Sequence, residues 1–151
     1  MAALRPWLTV PMARARGTEQ SGEMHPTRRR LLDTVLELIA ELGPDAVTAD
    51  QVLARSGISR GSMYHHFQDF PDLIDHAHVA RFAGYVDATI GSLRQVLDNS
   101  RTKAEMLEGL RHITHITQSA AAAANRGDRI WIVAQATKRP RLLALLATEQ
   151  Q

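Results

Sequence analysis

The chain has no cysteine. That excludes a disulfide framework, a thiolate zinc site and a cysteine nucleophile, and it fits a reducing, cytoplasmic setting. Aromatic residues make up only 5% of the 151 positions, so the core rests on aliphatic side chains. No apolar run approaches the roughly 20 residues of a membrane helix. Pro6 and Pro11 interrupt the apolar stretch at the N-terminus, which makes it a poor signal peptide. Runs of alternating apolar and polar residues are also missing, as is any internal repeat. A sheet is therefore not expected, and the expected class is all-α.

What is present is an uneven charge and a strong helical period. The net charge of +2 is distributed as +4 over residues 1–30, −6 over 31–75 and +4 over 76–151. Residues 1–25 hold Arg, Pro, Gly and Ser without a period and read as a disordered basic arm. From Thr27, Leu32, Val35, Leu36, Ile39 and Ala40 share one helix face, and Gly43-Pro44 ends that helix. Thr27 is placed to cap its start. Thr48-Ala49-Asp50-Gln51 is a capping box for a short second helix that closes at Ser56-Gly57. Ser59 caps a third helix, in which Met63 and Phe67 fall four apart on one face.

After Asp69-Phe70-Pro71 a long helix is predicted from Pro71 to about Asn99, with Leu73, Ile74, Ala77, Ala80, Ala83, Val86, Ile90, Leu93 and Leu97 inward. A further helix is predicted over 103–124, with Leu107, Leu110, Ile113 and Ile116 inward. Asn125-Arg126-Gly127 reads as a break before a helix with Trp131, Ile132 and Val133. Pro140 interrupts that helix ahead of "RLLALLATEQQ".

Gly57-Ile58-Ser59-Arg60-Gly61 matches the G-x-S-x-G pattern of serine hydrolases. A nucleophile elbow needs a strand before the serine and a helix after it. Here a capped helix precedes the serine, so Ser59 is read as a cap and the chain is not read as an enzyme. The same residues make a helix–turn–helix. Gly57 permits the sharp turn, Ile58 plugs the space between the helices, and Ser59 starts the second. That helix exposes Arg60, Gly61, Ser62, Tyr64 and His65, which suit an N-terminal end entering a major groove. Arg60 has the fork geometry to pair with a guanine edge. Ser62 and Tyr64 can donate to phosphates, and Gly61 lets the backbone approach.

The stretch from Thr27 to Ile74 resembles the DNA-binding region of the TetR family of bacterial transcriptional repressors. Gly43, Val47-Thr48, Ser56-Gly57-Ile58-Ser59, Gly61, Tyr64, His66-Phe67 and Leu73 carry the resemblance. It implies a helix–turn–helix domain over 26–72, with Thr48, Ser59, Arg60, Gly61, Ser62, Tyr64, His65 and His66 toward operator DNA. It also implies a helical effector-binding and dimerisation domain over 73–151, with no cofactor and no metal. The implied mechanism is a homodimer whose two heads change spacing when a small, often hydrophobic effector binds, releasing double-stranded operator DNA. Phe82, Tyr85, Thr89, Leu110, Ile113 and Trp131 are the effector-site candidates, although any single one of them reads first as a core residue. His112 and His115 stand three apart on a helix but lack a third ligand, and read as surface histidines.

The sequence departs from the family pattern in four places. Leu53 stands where a small residue is usual, and Phe70 where a lysine usually holds a phosphate. The head region is acidic. The chain ends where family members continue into two more helices, so a truncated C-terminal domain is expected. The alternative reading is a truncated helical interaction module that no longer binds operator DNA.

Overall fold

The computed structural model describes residues 24–120 and 122–149, and of Glu149 only the backbone. The basic arm expected over 1–25 lies almost wholly outside the described residues. Seven helices run α1 (Pro26–Leu42), α2 (Ala49–Ser56), α3 (Arg60–His66), α4 (Phe70–Asn99), α5 (Lys103–Gln118), α6 (Ala123–Ala136) and α7 (Pro140–Glu149), and no strand occurs among the described residues. The all-α class holds.

Local signals set most helix ends. The Thr48 capping box forms as expected: Thr48 Oγ1 accepts from the Gln51 amide at 3.4 Å, and Gln51 Oε1 accepts from the Thr48 amide at 2.8 Å. Ser59 Oγ accepts from the Ser62 amide at 3.2 Å. Asp69 caps α4 by accepting from the Asp72 amide at 2.6 Å, with a proline in the first turn. A second capping box, Thr102 with Glu105, opens α5. Gly57 ends α2 at φ 68°, ψ 16°, a left-handed conformation that an L side chain rarely adopts. Gly43 ends α1 at φ 94°, ψ 161°, a positive φ outside the left-handed helical well.

Four expectations are corrected. His25, not Thr27, caps α1: its Nδ1 accepts from the Thr27 amide at 3.2 Å, and Pro26 opens the helix. On α1, Ala40 is exposed, and the buried face is Leu31, Leu32, Val35, Leu38 and Ile39. The break before α6 falls at Ser119–Ala122, and Asn125-Arg126-Gly127 lies inside α6. Ser119 Oγ accepts from the Ala122 amide at 3.3 Å, and the Arg126 guanidinium donates to the Thr117 and Ser119 carbonyls. These bonds close the end of α5 from within α6, and they outweigh the ~1 kcal/mol that a mid-helix glycine costs. Finally, α5 buries no residue completely: Leu107 and Ile116 are exposed, and Leu110 and Ile113 are half-buried. Ile90, Leu93 and Leu97 at the far end of α4 are exposed as well.

The core has two parts joined by α4, a helix about 45 Å long. In the head, Leu31, Leu32, Val35, Leu38 and Ile39 of α1 pack on Val52, Met63, Phe67, Leu73, Ile74 and Ala77. Leu53 and Phe70 pack against this cluster from its edge. The second part joins Val79 to Ile132, Ala136, Leu142 and Leu146, with Phe82, Tyr85, Trp131 and Leu145 around them. Between α4 and α5 the Gly109 backbone lies against the Val96 side chain: a Cβ on Gly109 would stand 2.7 Å from Val96 Cγ1.

Polar pairs tie α4 to the last two helices. Arg141 of α7 donates to both Asp69 oxygens, at 2.8 and 3.3 Å. Arg139 pairs with Asp75, whose side chain is 4% exposed. Arg81 and the Tyr85 hydroxyl both engage Asp128 of α6, the hydroxyl at 2.6 Å. Burial pushes the Tyr85 phenol up to about 12, with the Asp128 carboxylate adding to the shift.

Candidate nucleic-acid interface

Helices α2 and α3 meet across the Gly57-Ile58-Ser59 turn. Ser56 is buried, and its Oγ accepts from the Ile58 amide at 3.2 Å, which fixes the turn from inside. Met63 is fully buried and holds α3 in the head core. The opposite face of α3 is thereby directed outward. Arg60, Gly61, Tyr64 and His65 are exposed, and Ser62 and His66 are half-buried. A Cβ on Gly61 would meet nothing within 4 Å, so that face is open. Thr48, exposed at the start of α2, carries its cap. The structure thus places the candidate contact residues around the α2–α3 turn and along the outward face of α3.

Arg60 Nη2 lies 2.6 Å from Asp50 Oδ1 on α2, with the two side chains 55% and 86% exposed. A pair that exposed holds little energy, so Arg60 can leave it for a better acceptor. Arg55 and Glu41 make a second exposed pair at 2.7 Å, stapling α2 to α1.

Two residues absent from the sequence reading complete this surface. Arg28 Nη1 donates to the His66 carbonyl at 2.9 Å, and its guanidinium stands 4.4 Å from the centre of the Phe67 ring. It therefore fixes the end of α3 against the start of α1. His25 places its ring 4.6 Å from that of His66, and the His65 ring stands 5.2 Å from His66 on the other side. Desolvation first, then the charges of His25, His65 and Arg28, holds the His66 imidazole below its ordinary range. The only hint in the sequence was the basic run around Arg28, which does not reveal a contact spanning 38 residues.

The effector candidates are distributed differently. Phe82, Tyr85 and Trp131 surround the second core, with the Trp131 ring 5.0 Å from the buried His78. Thr89 is exposed and donates to the Tyr85 carbonyl at 2.9 Å. Leu110 and Ile113 lie half-buried on α5. An open groove of about 590 Å³ is lined by Phe82, Arg126, Arg129, Ile130, Val133 and Ala134, so Phe82 is the one candidate on its wall.

Comparison with known proteins agrees with this geometry. Residues 31–76 match the model of "Bacterial regulatory proteins, tetR family", which spans most of α1, all of α2 and α3 and the start of α4. The chain is 29% identical over 90 residues to the HTH-type transcriptional repressor KstR2 of Mycobacterium tuberculosis (strain CDC 1551 / Oshkosh), covering 60% of this chain and 43% of the relative. It is 31% identical over 83 residues to KstR2 of Rhodococcus jostii (strain RHA1), covering 55% and 39%. It is 36% identical over 59 residues to the HTH-type transcriptional regulator AcrR of Shigella flexneri, covering 39% and 26%. In each case the match spans less than half of the relative's length. Over the matched region, with its capped helices, left-handed Gly57 and outward-facing α3, this chain is similar to the tetR family of bacterial regulatory proteins.

Proposed function

We propose that this protein is a sequence-specific DNA-binding transcriptional regulator and not an enzyme. On this reading it acts in the cytoplasm as a repressor that a small apolar effector releases from double-stranded operator DNA. The observation that carries the reading is α3, which is anchored by Met63 and turns Arg60, Gly61, Tyr64 and His65 outward beside a capped α2. Arg60 reads a base edge after leaving Asp50. Tyr64 and Ser62 meet phosphates, and Thr48 and Ser59 set the two helix starts against the backbone. The 26–72 segment is the reading head, and the 73–151 segment receives the effector and a second copy of the chain. Support for a second copy comes from exposed apolar residues outside the Phe82 groove, among them Leu97, Ile116 and Leu143. The groove beside Phe82 is the effector site that best suits this reading.

The test is titration of selected and mixed-sequence duplexes with the wild-type chain, Arg60→Ala and Tyr64→Phe. Arg60→Ala should lose preference between sequences, whereas Tyr64→Phe should weaken all sequences alike. Unchanged affinity and preference in Arg60→Ala would remove α3 from the recognition role. Light scattering should give a particle of twice 16.7 kDa; a monomer would remove the paired heads.

A further inference from the structure

Three imidazoles meet where the start of α1 touches the end of α3. The His66 ring lies between His25 at 4.6 Å and His65 at 5.2 Å. Arg28 faces the cluster from α1, bonded to the His66 carbonyl. From α4, His76 stands edge-on to Phe67 at 5.5 Å, and Asp72 acts on Arg28 from a distance. Asp72 is itself occupied: Oδ2 accepts from the Gln68 amide at 3.0 Å, and Oδ1 lies 3.3 Å from His76 Nδ1. Among the described residues, no carboxylate pairs with any of the three rings. An imidazolium at His66 therefore finds only positive or neutral neighbours in the free protein.

The three rings are not equivalent. His25 Nδ1 accepts the Thr27 amide, so adding a proton there would break the α1 cap. His66 has no such obligation, and neither does the exposed His65.

We propose that His66, with His65 beside it, is a proton-dependent phosphate contact: neutral in the free protein, it takes up a proton when a DNA backbone phosphate docks at the α1–α3 junction. This inference rests on the reading of α3 as the DNA-facing helix. A phosphate supplies the anion that the protein withholds. The proton then stays on His66 in the complex and not in the free chain. Because the bound state holds more protons, affinity must rise as pH falls. The His66 ring, held below its ordinary range in the free protein, gives this uptake room to occur near neutral pH.

The experiment is fluorescence anisotropy of a labelled mixed-sequence duplex at fixed ionic strength between pH 8 and pH 6. One proton taken up corresponds to as much as about tenfold in affinity per pH unit. Wild type should gain roughly tenfold or more across the range. His66→Gln should flatten the profile, and His66→Lys, a fixed cation, should bind at pH 8 about as tightly as wild type does at pH 6. The double variant His112→Gln with His115→Gln, on α5, should keep the wild-type slope. Flat binding by wild type, or an unchanged slope in His66→Gln, overturns the proposal while leaving the DNA reading intact. Failure of wild type to bind DNA at any pH overturns both.

Discussion

Acid should unfold this protein through one buried ring. His78 is 1% exposed, sits against Trp131 and has no hydrogen-bond partner for Nδ1. Desolvation first, then the charges of Arg81 and Arg139, lowers its imidazole to about 3. In the unfolded chain an imidazole titrates near ~6.5. The unfolded state therefore binds a proton that the folded state refuses, and stability falls as pH drops below the unfolded value. At pH 7 the loss is only about 0.2 kcal/mol; at pH 5 it reaches about 2 kcal/mol. That figure depends on the unfolded value alone, as long as the folded ring stays neutral at pH 5. The assay is urea denaturation of wild type and His78→Leu at pH 7 and pH 5. His78→Leu should lose about 2 kcal/mol less than wild type over that interval. An identical loss in both proteins would mean that His78 is protonated in the fold, which would refute its sealed position between α4 and α6.

The two arginines of the α7 region should behave differently. Arg139→Ala leaves the buried Asp75 carboxylate without its partner and should cost about 3 kcal/mol in urea denaturation, whereas Arg141→Ala, whose partner Asp69 has a side chain 45% exposed, should shift the midpoint much less. Asp50→Asn should strengthen binding to all duplexes by a few-fold in anisotropy titrations, because it frees Arg60 and removes an anion beside the phosphates. Tyr85 should ionise only about two pH units above free tyrosine in ultraviolet difference titration, and Asp128→Asn should bring it down.

Much of the head was legible because short-range chemistry dictates it. Thr48, Gln51, Gly57, Ser59 and Asp69 each specify a cap or a turn within four residues, and each does so in the fold. Met63 and Phe67 were readable as one buried face for the same reason. Illegible were contacts that close over long separations. Arg28 on His66, Arg141 on Asp69 and Tyr85 on Asp128 span 38, 72 and 43 residues, and nothing in the local pattern marks them. The α5–α6 boundary misled because Gly127 is a weak helix breaker, while the bonds of Arg126 to the end of α5 are invisible in sequence. The outer parts of α4 and α5 carry apolar residues at helical spacing, yet Leu97 and Ile116 stay exposed in this single chain. Periodicity identifies an apolar face; it does not identify what the face packs against. Of the candidate contact residues on α3, Arg60, Gly61, Tyr64 and His65 were legible as exposed, whereas the half-burial of Ser62, the Asp50 partner of Arg60 and the His25 ring beside His66 were not.

The central claim is that α3 reads DNA sequence. Its most direct test is selection of duplexes from a random pool by the purified chain, followed by sequencing, in parallel with Arg60→Ala. The account predicts enrichment of a palindrome whose half-sites lie about 34 Å, or a multiple of one DNA turn, apart, with that enrichment lost in Arg60→Ala. A pool that stays random with wild type, or a motif that survives Arg60→Ala unchanged, would contradict it.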